Sequence, residues 1–298
     1  MKTKGFLYGS FAAVLWGTVF VFGRLVLKNG EIHPVVLAFF RFVFASFFLL
    51  TILALQGKIK KVALIKDDFF RFFLLGLTGI YGMSIFIFSS LERTLATNSS
   101  ILMNSNPIFV LLFASLFLKE KLTFLKFSGV AIGFLGCYFI LNNGFSNFSV
   151  FHNEYLFGNF LALLAAVCWA LYTALGKEPS RKYGALITTL NASLIGTTLL
   201  FLTILIFKIP FHFTARAFLV GVYLGLIPAG LGYVFWFRGL KYVEAGSLAP
   251  LQYLAPVVTM IIACFWLKEK ITLAIIVGAV LIFLGFFLPL IKERKCLN

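Results

Sequence analysis

The sequence predicts an all-α integral membrane protein in which ten transmembrane helices form two inverted-topology five-helix repeats. Of its 298 residues, 61% are hydrophobic and only 12% are charged, whereas charged residues make up about a quarter of ordinary soluble domains. A soluble fold could not hide this much apolar surface from water, but a lipid bilayer solvates it. The apolar residues also occur in runs that reach the roughly 20 residues needed to span a bilayer as a helix.

Short segments rich in Lys, Asn, Gly and Asp separate ten such runs and are typical of turns. In the first predicted repeat, residues 1–141, the spans are 5–27, 34–55, 69–91, 95–118 and 122–141. In the second, residues 142–298, they are 156–176, 185–207, 215–237, 245–267 and 272–291. The first run is too long for the core of a cleavable signal peptide, so we expect it to remain as a span.

The distribution of basic residues predicts the orientation. Eighteen of the 26 Lys and Arg residues lie on the side of the N-terminus, seven lie on the other side, and Arg41 lies within a span. Because cytoplasmic loops collect basic residues, we expect a multi-pass protein of the cell (plasma or inner) membrane with both termini cytoplasmic. The same loops account for the net charge of +16 without a nucleic-acid partner.

An internal repeat relates the two parts of the chain. Residues 117–123 and 266–272 both contain Leu-Lys-Glu-Lys, and the same offset of 149 residues relates Pro107 to Pro256 and Gly136 to Gly285. Trp16 and Trp169 correspond at an offset of 153, which we attribute to a change in loop length. Because each repeat has an odd number of spans, the second must enter the membrane from the opposite side. This is a plan that many secondary transporters use.

Several motifs recur in an order typical of one family. They are Trp16-Gly17, Arg41-Phe42, Asn106-Pro107 with Leu118-Lys119-Glu120-Lys121-Leu122, Ala255-Pro256 with Leu267-Lys268-Glu269-Lys270-Ile271, and Gly232-Tyr233 with Trp236 and Leu240. With them the chain resembles the EamA-type ten-helix members of the drug/metabolite transporter superfamily over nearly its whole length. The resemblance implies that the two inverted five-helix repeats surround a central cavity. It also implies transport of small solutes such as amino acids, their relatives or toxic cations, often outward, and it leaves the substrate open.

Neither a cofactor nor a metal ion is expected. The four cysteines show no spacing typical of a metal or redox pair, and all three histidines fall in predicted loops. We expect the partners to be a small-molecule substrate and the lipid bilayer, and the protein to be a monomer because its Gly-xxx-Gly spacings are explained by packing within the bundle.

Arg41 is the basic residue that lies deepest within a predicted span, about two helical turns from the start of 34–55. A charge at that depth is costly and should face the bundle interior or a wet cavity. Arg41 could therefore anchor a substrate carboxylate or phosphate. The alternative is a structural arginine that binds helix carbonyls or extends to the membrane surface.

Six aromatic residues with polar tips lie deeper than the membrane interface would explain, so their N–H and O–H groups need internal partners. They are Trp16, Tyr81, Trp169, Tyr172, Tyr233 and Trp236. We predict that they bind substrate, with packing between helices as the alternative.

Ser100, Asn104 and Pro107 are spaced to share one helix face, and Tyr253 and Pro256 are repeat partners of the last two. We predict that Ser100, Asn104 and Tyr253 contact substrate in the cavity, with packing between helices as the alternative. Pro107 and Pro256 are predicted to kink their helices and free a backbone carbonyl there.

All ten acidic residues fall in predicted loops or at span ends. Proton coupling through a carboxylate in mid-membrane is therefore not expected. The spans also lack the Asp, Glu or His needed for an intramembrane lipid-modifying enzyme, so we expect no enzymatic activity. A channel would show a filter motif, and a nucleotide-sugar or phosphate-ester exchanger would want several cavity cations besides Arg41. The two Lys-Glu-Lys turns are interpreted as structural, with their charges at the membrane surface.

Overall fold

In the computed structural model, the structure describes residues 2–27, 30–58, 68–94, 96–142, 153–267, 273 and 276–285. Up to residue 142 the helices are α1 (Lys2–Leu27), α2 (Pro34–Leu55), α3 (Phe69–Leu75), a π-helical segment (Gly76–Gly82), α4 (Met83–Arg93), α5 (Ala96–Met103), α6 (Asn106–Leu118) and α7 (Phe124–Asn142). Beyond it lie a 3₁₀ turn (Asn153–Tyr155), α8 (Leu156–Tyr183), α9 (Ala185–Ile206), α10 (Ala215–Leu224), a second π segment (Gly225–Leu231), α11 (Gly232–Tyr242), α12 (Ala245–Leu248), a 3₁₀ segment (Ala249–Tyr253), α13 (Leu254–Leu267) and α14 (Ile276–Gly285).

Seven described helical stretches are long and apolar enough to cross a membrane, so the chain is an integral multi-pass membrane protein. They are Lys2–Leu27, Pro34–Leu55, Phe69–Ser90, Ile101–Leu118, Leu156–Tyr183, Ala185–Ile206 and Ala215–Tyr242. Phe124–Phe139 and Ile276–Gly285 form shorter apolar helices. The remaining described residues form turns and short connections between the helices. An isolated β-bridge joins Ile32 to Phe213.

Local signals explain where several helices begin and end. α2 begins with Pro34, and the His33 side chain accepts a hydrogen bond from the Val35 N–H. Thr214 caps α10 in the same way through the Ala217 N–H. Gly184, with φ of +89°, allows the sharp turn from α8 to α9 that a side chain would hinder.

The two parts of the chain have matching irregularities. The π segments Gly76–Gly82 and Gly225–Leu231 correspond residue for residue at the 149-residue offset found in the sequence. The break between α5 and α6 at Asn104–Ser105 corresponds in the same way to the end of the 3₁₀ segment before α13. Such π segments distort a helix locally and often accompany functional sites.

Packing between helices also follows the repeat. α1 packs on α11 and α13, and α8 packs on α4 and α6. α2 packs on the second π segment, and α9 packs on the first. α2 and α9 also contact each other.

Two groups of polar contacts mark the opposite ends of the bundle. At one end, the Asp68 end, the Asp68 carboxylate accepts hydrogen bonds from Lys182 Nζ at 2.7 Å and from the Tyr183 hydroxyl at 2.5 Å. At the other, the Glu31 end, the Glu31 carboxylate accepts from Thr214 Oγ1 at 2.7 Å and pairs with Arg216 at 3.0 Å. α8 finishes at the Asp68 end, whereas α1 begins there.

Glycines let α7 and α14 cross closely. A Cβ on Gly136 would lie 2.5 Å from the Gly278 carbonyl oxygen, and a Cβ on Gly285 would lie 2.5 Å from that of Gly129. The 149-residue offset relates Gly129 to Gly278 as it relates Gly136 to Gly285, so the two helices meet through equivalent surfaces.

The structure corrects two predicted spans. The span 95–118 is broken at Asn104–Ser105, so Ser100, Asn104 and Pro107 do not share one continuous helix face. Pro107 lies in the first turn of α6, where its missing N–H breaks no helical hydrogen bond, and Pro256 is the third residue of α13. The predicted kinks are therefore breaks just before each proline. α8 also runs to Tyr183 rather than to residue 176.

Candidate functional site

Five of the predicted site residues form one aromatic cluster, which we define as Trp16, Trp169, Tyr172, Tyr233 and Trp236. The Trp16 ring meets Trp169 edge to face at 4.9 Å between centroids, and Trp169 lies 5.2 Å from Tyr233 and 5.4 Å from Tyr172. α1, α8 and α11 supply these side chains. Both parts of the chain thus contribute to one buried group of rings.

Each tryptophan of the cluster has a hydrogen-bond partner for its indole N–H. Trp16 Nε1 donates to the Pro228 carbonyl oxygen at 3.1 Å, Trp169 Nε1 to Gln252 Oε1 at 2.6 Å, and Trp236 Nε1 to Thr173 Oγ1 at 3.2 Å. Pro228 belongs to the second π segment and Gln252 to the 3₁₀ segment before α13. The irregular backbone segments therefore hold the tryptophans in place.

Glycines bring the helices close enough for these contacts. A Cβ on Gly79, in the first π segment, would lie 2.1 Å from the Tyr172 ring. A Cβ on Gly232, at the start of α11, would lie 2.8 Å from Trp16 Nε1. Both positions tolerate only a residue without a side chain unless an aromatic ring moves.

Arg41 lies beside the cluster and not at the membrane surface. Arg41 is 7% exposed. Its guanidinium carbon lies 5.0 Å from the centroid of the Phe42 ring and 5.9 Å from the centroid of the Tyr233 ring. These contacts are cation–π interactions. Arg41 Nε is buried and has no hydrogen-bond partner among the described residues. The alternative in which Arg41 extends to the membrane surface is therefore wrong.

Three more polar groups in or against the cluster lack a hydrogen bond within the described part of the chain. They are the Tyr172 and Tyr233 hydroxyls and Gln252 Nε2. Thr189 Oγ1 lies beside the Tyr172 hydroxyl without meeting hydrogen-bond geometry, and it too has no partner among the described residues. Buried polar groups are normally paired, so these unpaired groups around one cluster indicate a place for a ligand or water.

Gln252 is not among the site residues that the sequence predicts. Gln252 is 5% exposed. The Trp169 indole N–H donates to Gln252 Oε1, which fixes the orientation of the amide and points Nε2 away from that hydrogen bond. The repeat gave no signal for it, because the position equivalent to Gln252 is Met103.

The other predicted site residues lie elsewhere. The Tyr81 hydroxyl is 3.1 Å from Thr203 Oγ1 on α9. The Tyr253 hydroxyl donates to the Val130 carbonyl oxygen at 3.2 Å and its ring packs on Gly133, which joins α7 to the 3₁₀ segment. Asn104 is buried at the break after α5, and the side chain of Ser100 falls outside the described residues.

The first Lys-Glu-Lys turn is only partly a surface feature. Lys119 and Lys121 are exposed, as predicted, but Glu120 is 9% exposed and binds Lys177 Nζ at 2.5 Å. The expectation that the charges of this turn lie at the surface is therefore wrong for Glu120. Lys119 ends α6 in a left-handed conformation, with φ of +54°, at the point where the chain leaves the helix. Residues 268–270 of the second turn fall outside the described residues.

Comparisons with known proteins agree with this architecture. The EamA-like transporter family matches residues 3–142 and 156–291 of the chain. An uncharacterised transporter of Archaeoglobus fulgidus is 29% identical over 99% of this chain and 100% of its own length. The uncharacterised transporter YyaM of Bacillus subtilis is 30% identical over 86% of this chain and 84% of its own length.

The fold has been seen before in a crystal structure. One solved chain superposes with a TM-score of 0.86 at 21% sequence identity, and the match covers all of both chains. At that identity the likeness shows the fold alone. The family match extends over both parts of the sequence and carries the conclusion that this chain belongs to the EamA-like transporter family, within the drug/metabolite transporter superfamily.

Proposed function

We propose that the protein is a secondary transporter of amino acids or related small carboxylate-bearing solutes, which it moves by alternating access. Family membership supports transport, and the cluster around Arg41 supports the substrate class. We further propose that net movement is export, the direction that the resemblance to the superfamily favours.

The observation that carries the substrate class is the chemistry of the unpaired groups. Arg41 Nε and Gln252 Nε2 can only donate hydrogen bonds, and the Tyr172 and Tyr233 hydroxyls can donate as well. The described residues of the cluster include no carboxylate that could accept them. A ligand that supplies acceptor oxygens, such as a carboxylate, completes these hydrogen bonds, and the surrounding rings suit an apolar or aromatic remainder.

The same chemistry weighs against the other candidates. An organic cation would meet Arg41 without a neutralising carboxylate, which is unfavourable in a buried site. A phosphate ester or nucleotide sugar would want more than one cation, and Arg41 is the one basic side chain that the described residues bring to the cluster. An intramembrane enzyme would need a catalytic acid, base or metal group there.

We also propose the finer architecture of ten spans in two inverted five-helix repeats around a central cavity, in the cell membrane with both termini cytoplasmic. The matching π segments, the matching helix breaks and the reversed directions of α1 and α8 support the inverted arrangement. The bias of Lys and Arg toward the side of the N-terminus supports the orientation.

Counterflow in proteoliposomes tests the function. Vesicles are preloaded with unlabelled amino acids, organic cations or phosphate esters, and uptake of the matching labelled solute is measured for the wild type and for Arg41→Gln. We expect saturable counterflow of at least one amino acid. Loss of a charged hydrogen-bond donor should raise its half-saturating concentration roughly 10- to 100-fold. Arg238→Gln is the matched control, because Arg238 is an exposed arginine packed on the Tyr8 ring.

A transmembrane proton gradient provides a second test with the same vesicles. Because the sequence places all its carboxylates in loops or at helix ends, we expect counterflow to be independent of the gradient. Steady accumulation driven by protons would contradict the uncoupled mechanism. Counterflow of cations only, unchanged by Arg41→Gln, would contradict the assignment of the substrate class.

A further inference from the structure

Glu120 is a buried carboxylate at the Asp68 end of the bundle. Its side chain is 7% exposed, and that of Lys177, which binds its Oε1 at 2.5 Å, is 5% exposed. A buried ion pair of this kind is retained only when its desolvation is offset by close geometry and further hydrogen bonds. Glu120 has both.

The further hydrogen bonds come from the backbone just before the 3₁₀ segment. The Ala245 N–H donates to Glu120 Oε1 at 2.9 Å, and the Gly246 N–H donates to Oε2 at 3.0 Å. A Cβ on Gly246 would lie 2.8 Å from Leu111 Cδ1, so a side chain there would require the Leu111 side chain to move. We call Glu120, Lys177 and these two N–H groups the clasp.

A second ion pair lies alongside the clasp. Lys126 Nζ binds the Glu244 carboxylate and donates to the Lys121 carbonyl oxygen at 3.1 Å. The Lys126 side chain is 8% exposed whereas that of Glu244 is 50% exposed. Glu120 lies in the α6–α7 turn and Lys126 lies at the start of α7. The two pairs therefore link this part of the first predicted repeat to α8 and to the residue before α12 in the second.

The clasp and the aromatic cluster share helix α8. Trp169, Thr173 and Lys177 are spaced four residues apart, so they follow one another along one face of that helix. Thr173 accepts the hydrogen bond from Trp236 of the cluster. The clasp therefore lies two turns from the cluster, toward the Asp68 end, and crosses from one predicted repeat to the other there.

Other polar contacts join distant parts of the chain at the two ends of the bundle. The Asp68 and Glu31 contacts occupy opposite ends of the same structure and are both formed at once. Contacts that are formed at both ends in one structure need not break when one end of the bundle opens and the other closes. The clasp joins the two predicted repeats at the Asp68 end. In the sequence, a glutamate and a basic residue recur at its repeat-related positions, Glu269 at the 149-residue offset and Arg24 at the 153-residue offset, as expected of a device duplicated with the repeat.

We infer that the clasp is the gate of the Asp68 end: it holds that end closed when formed, and it must break before the aromatic cluster can open there. The inference rests on the alternating access of the proposed function. It assigns a functional role to a turn that the sequence alone marks as structural. It also predicts that the Asp68 and Glu31 contacts persist in both states.

Distances between spin labels test the gate without any substrate. Lys121 and Arg181 are exposed on the two sides of the clasp, so both are changed to cysteine in a background without the four native cysteines and labelled in nanodiscs. In the wild-type clasp we expect one dominant short distance, measured by pulsed electron spin resonance. In Glu120→Gln we expect the ratio of long to short distances to rise about tenfold or more, since a charge-assisted bond is lost.

Matched variants separate the gate from a general loss of stability. Asp68→Asn removes another carboxylate that binds a lysine of α8 at the same end, and it should leave the distance distribution unchanged. Glu120→Asp keeps the charge with a shorter reach and should give an intermediate shift. It also provides a folded variant if Glu120→Gln is not recovered as a monodisperse protein. Unchanged distances in Glu120→Asp or Glu120→Gln would overturn the gate, as would an equal shift in Asp68→Asn.

The two proposals can fail separately. A shift in distances without counterflow of any solute would keep the gate and reject the proposed transport function. Counterflow of an amino acid by a variant whose distances are unshifted would keep the function and reject the gate.

Discussion

Individual residues of the cluster show how a buried polar group can be fixed yet left incomplete. Trp169 binds the oxygen of the Gln252 amide, and the nitrogen of the same amide has no partner among the described residues. An amide held at one atom and unpaired at the other is ready to donate to a ligand without reorienting. Arg41 is also held on one side and unpaired on another. Its guanidinium lies near the Phe42 and Tyr233 rings, whereas its Nε has no partner among the described residues.

At this scale we predict that Gln252→Leu weakens substrate binding. Leucine keeps much of the volume but removes the donor, so the half-saturating concentration in counterflow should rise roughly 10-fold, as expected for a hydrogen bond to a charged group. Gln56→Leu is the control, because Gln56 is exposed and binds Lys58. Equal kinetics for wild type and Gln252→Leu would exclude Gln252 from the site.

Elements of this fold owe their positions to irregular backbone and to glycine. The first π segment places Gly79 against the Tyr172 ring, and the second supplies the carbonyl that Trp16 binds. The sequence repeat aligns Leu75-Gly76-Leu77 with Leu224-Gly225-Leu226, so the register was visible in the sequence. The π conformation was not, because apolar π and α segments look alike in composition.

We predict that Gly79→Ala destabilises the protein by about 1–3 kcal/mol, because a Cβ 2.1 Å from the Tyr172 ring forces the ring or the helix to move. Thermal unfolding in detergent measures the effect. Gly23→Ala is the matched control, since a Cβ on Gly23 in α1 would meet no atom within 4 Å and alanine favours the helix. An unfolding temperature of Gly79→Ala equal to that of the wild type would contradict the close packing described for the π segment.

The whole molecule is held at its two ends by polar contacts that join distant parts of the chain. Asp68, before α3, binds the end of α8, and Glu31, before α2, binds the start of α10. Hydrogen bonds from Lys182 and Tyr183 hold the pKa of the Asp68 carboxyl below its ordinary value. A carboxyl with a lowered pKa stabilises the fold above its ordinary pKa and loses that contribution as the pH falls through the lowered value.

At this scale we predict a pH-dependent difference between the wild type and Asp68→Asn. The wild type should unfold at the higher temperature at neutral pH. The gap should begin to close as the pH falls below about 4, the ordinary range of an Asp carboxyl, and should vanish in stronger acid. Comparing variants isolates Asp68 from the other carboxyls that titrate in this range. Glu178→Gln is the control, because it removes an exposed partner of Arg71, and its unfolding temperature should differ little from that of the wild type at every pH. If the difference between the wild type and Asp68→Asn did not change with pH, the role of Asp68 ionisation would be contradicted.

The amino-acid sequence alone predicts the membrane environment, the helical class, the register of the repeat and the family resemblance. These follow from composition, hydrophobic length and spacing, which are local properties of the chain. It also singled out Arg41 and the aromatic residues, because charge and polar tips are unusual at membrane depth.

The tertiary structure shows which of those residues meet. Trp16, Trp169, Tyr172, Tyr233 and Trp236 come together, whereas Tyr81 and Tyr253 bind other helices. It also showed that Glu120, in a turn rich in charge, is buried against Lys177, a residue 57 positions away. The polarity of a residue follows directly from its type in the sequence. Whether that polarity is buried, and with which partner, depends on helix packing, since contacts between residues far apart in the chain exist only once the chain has folded.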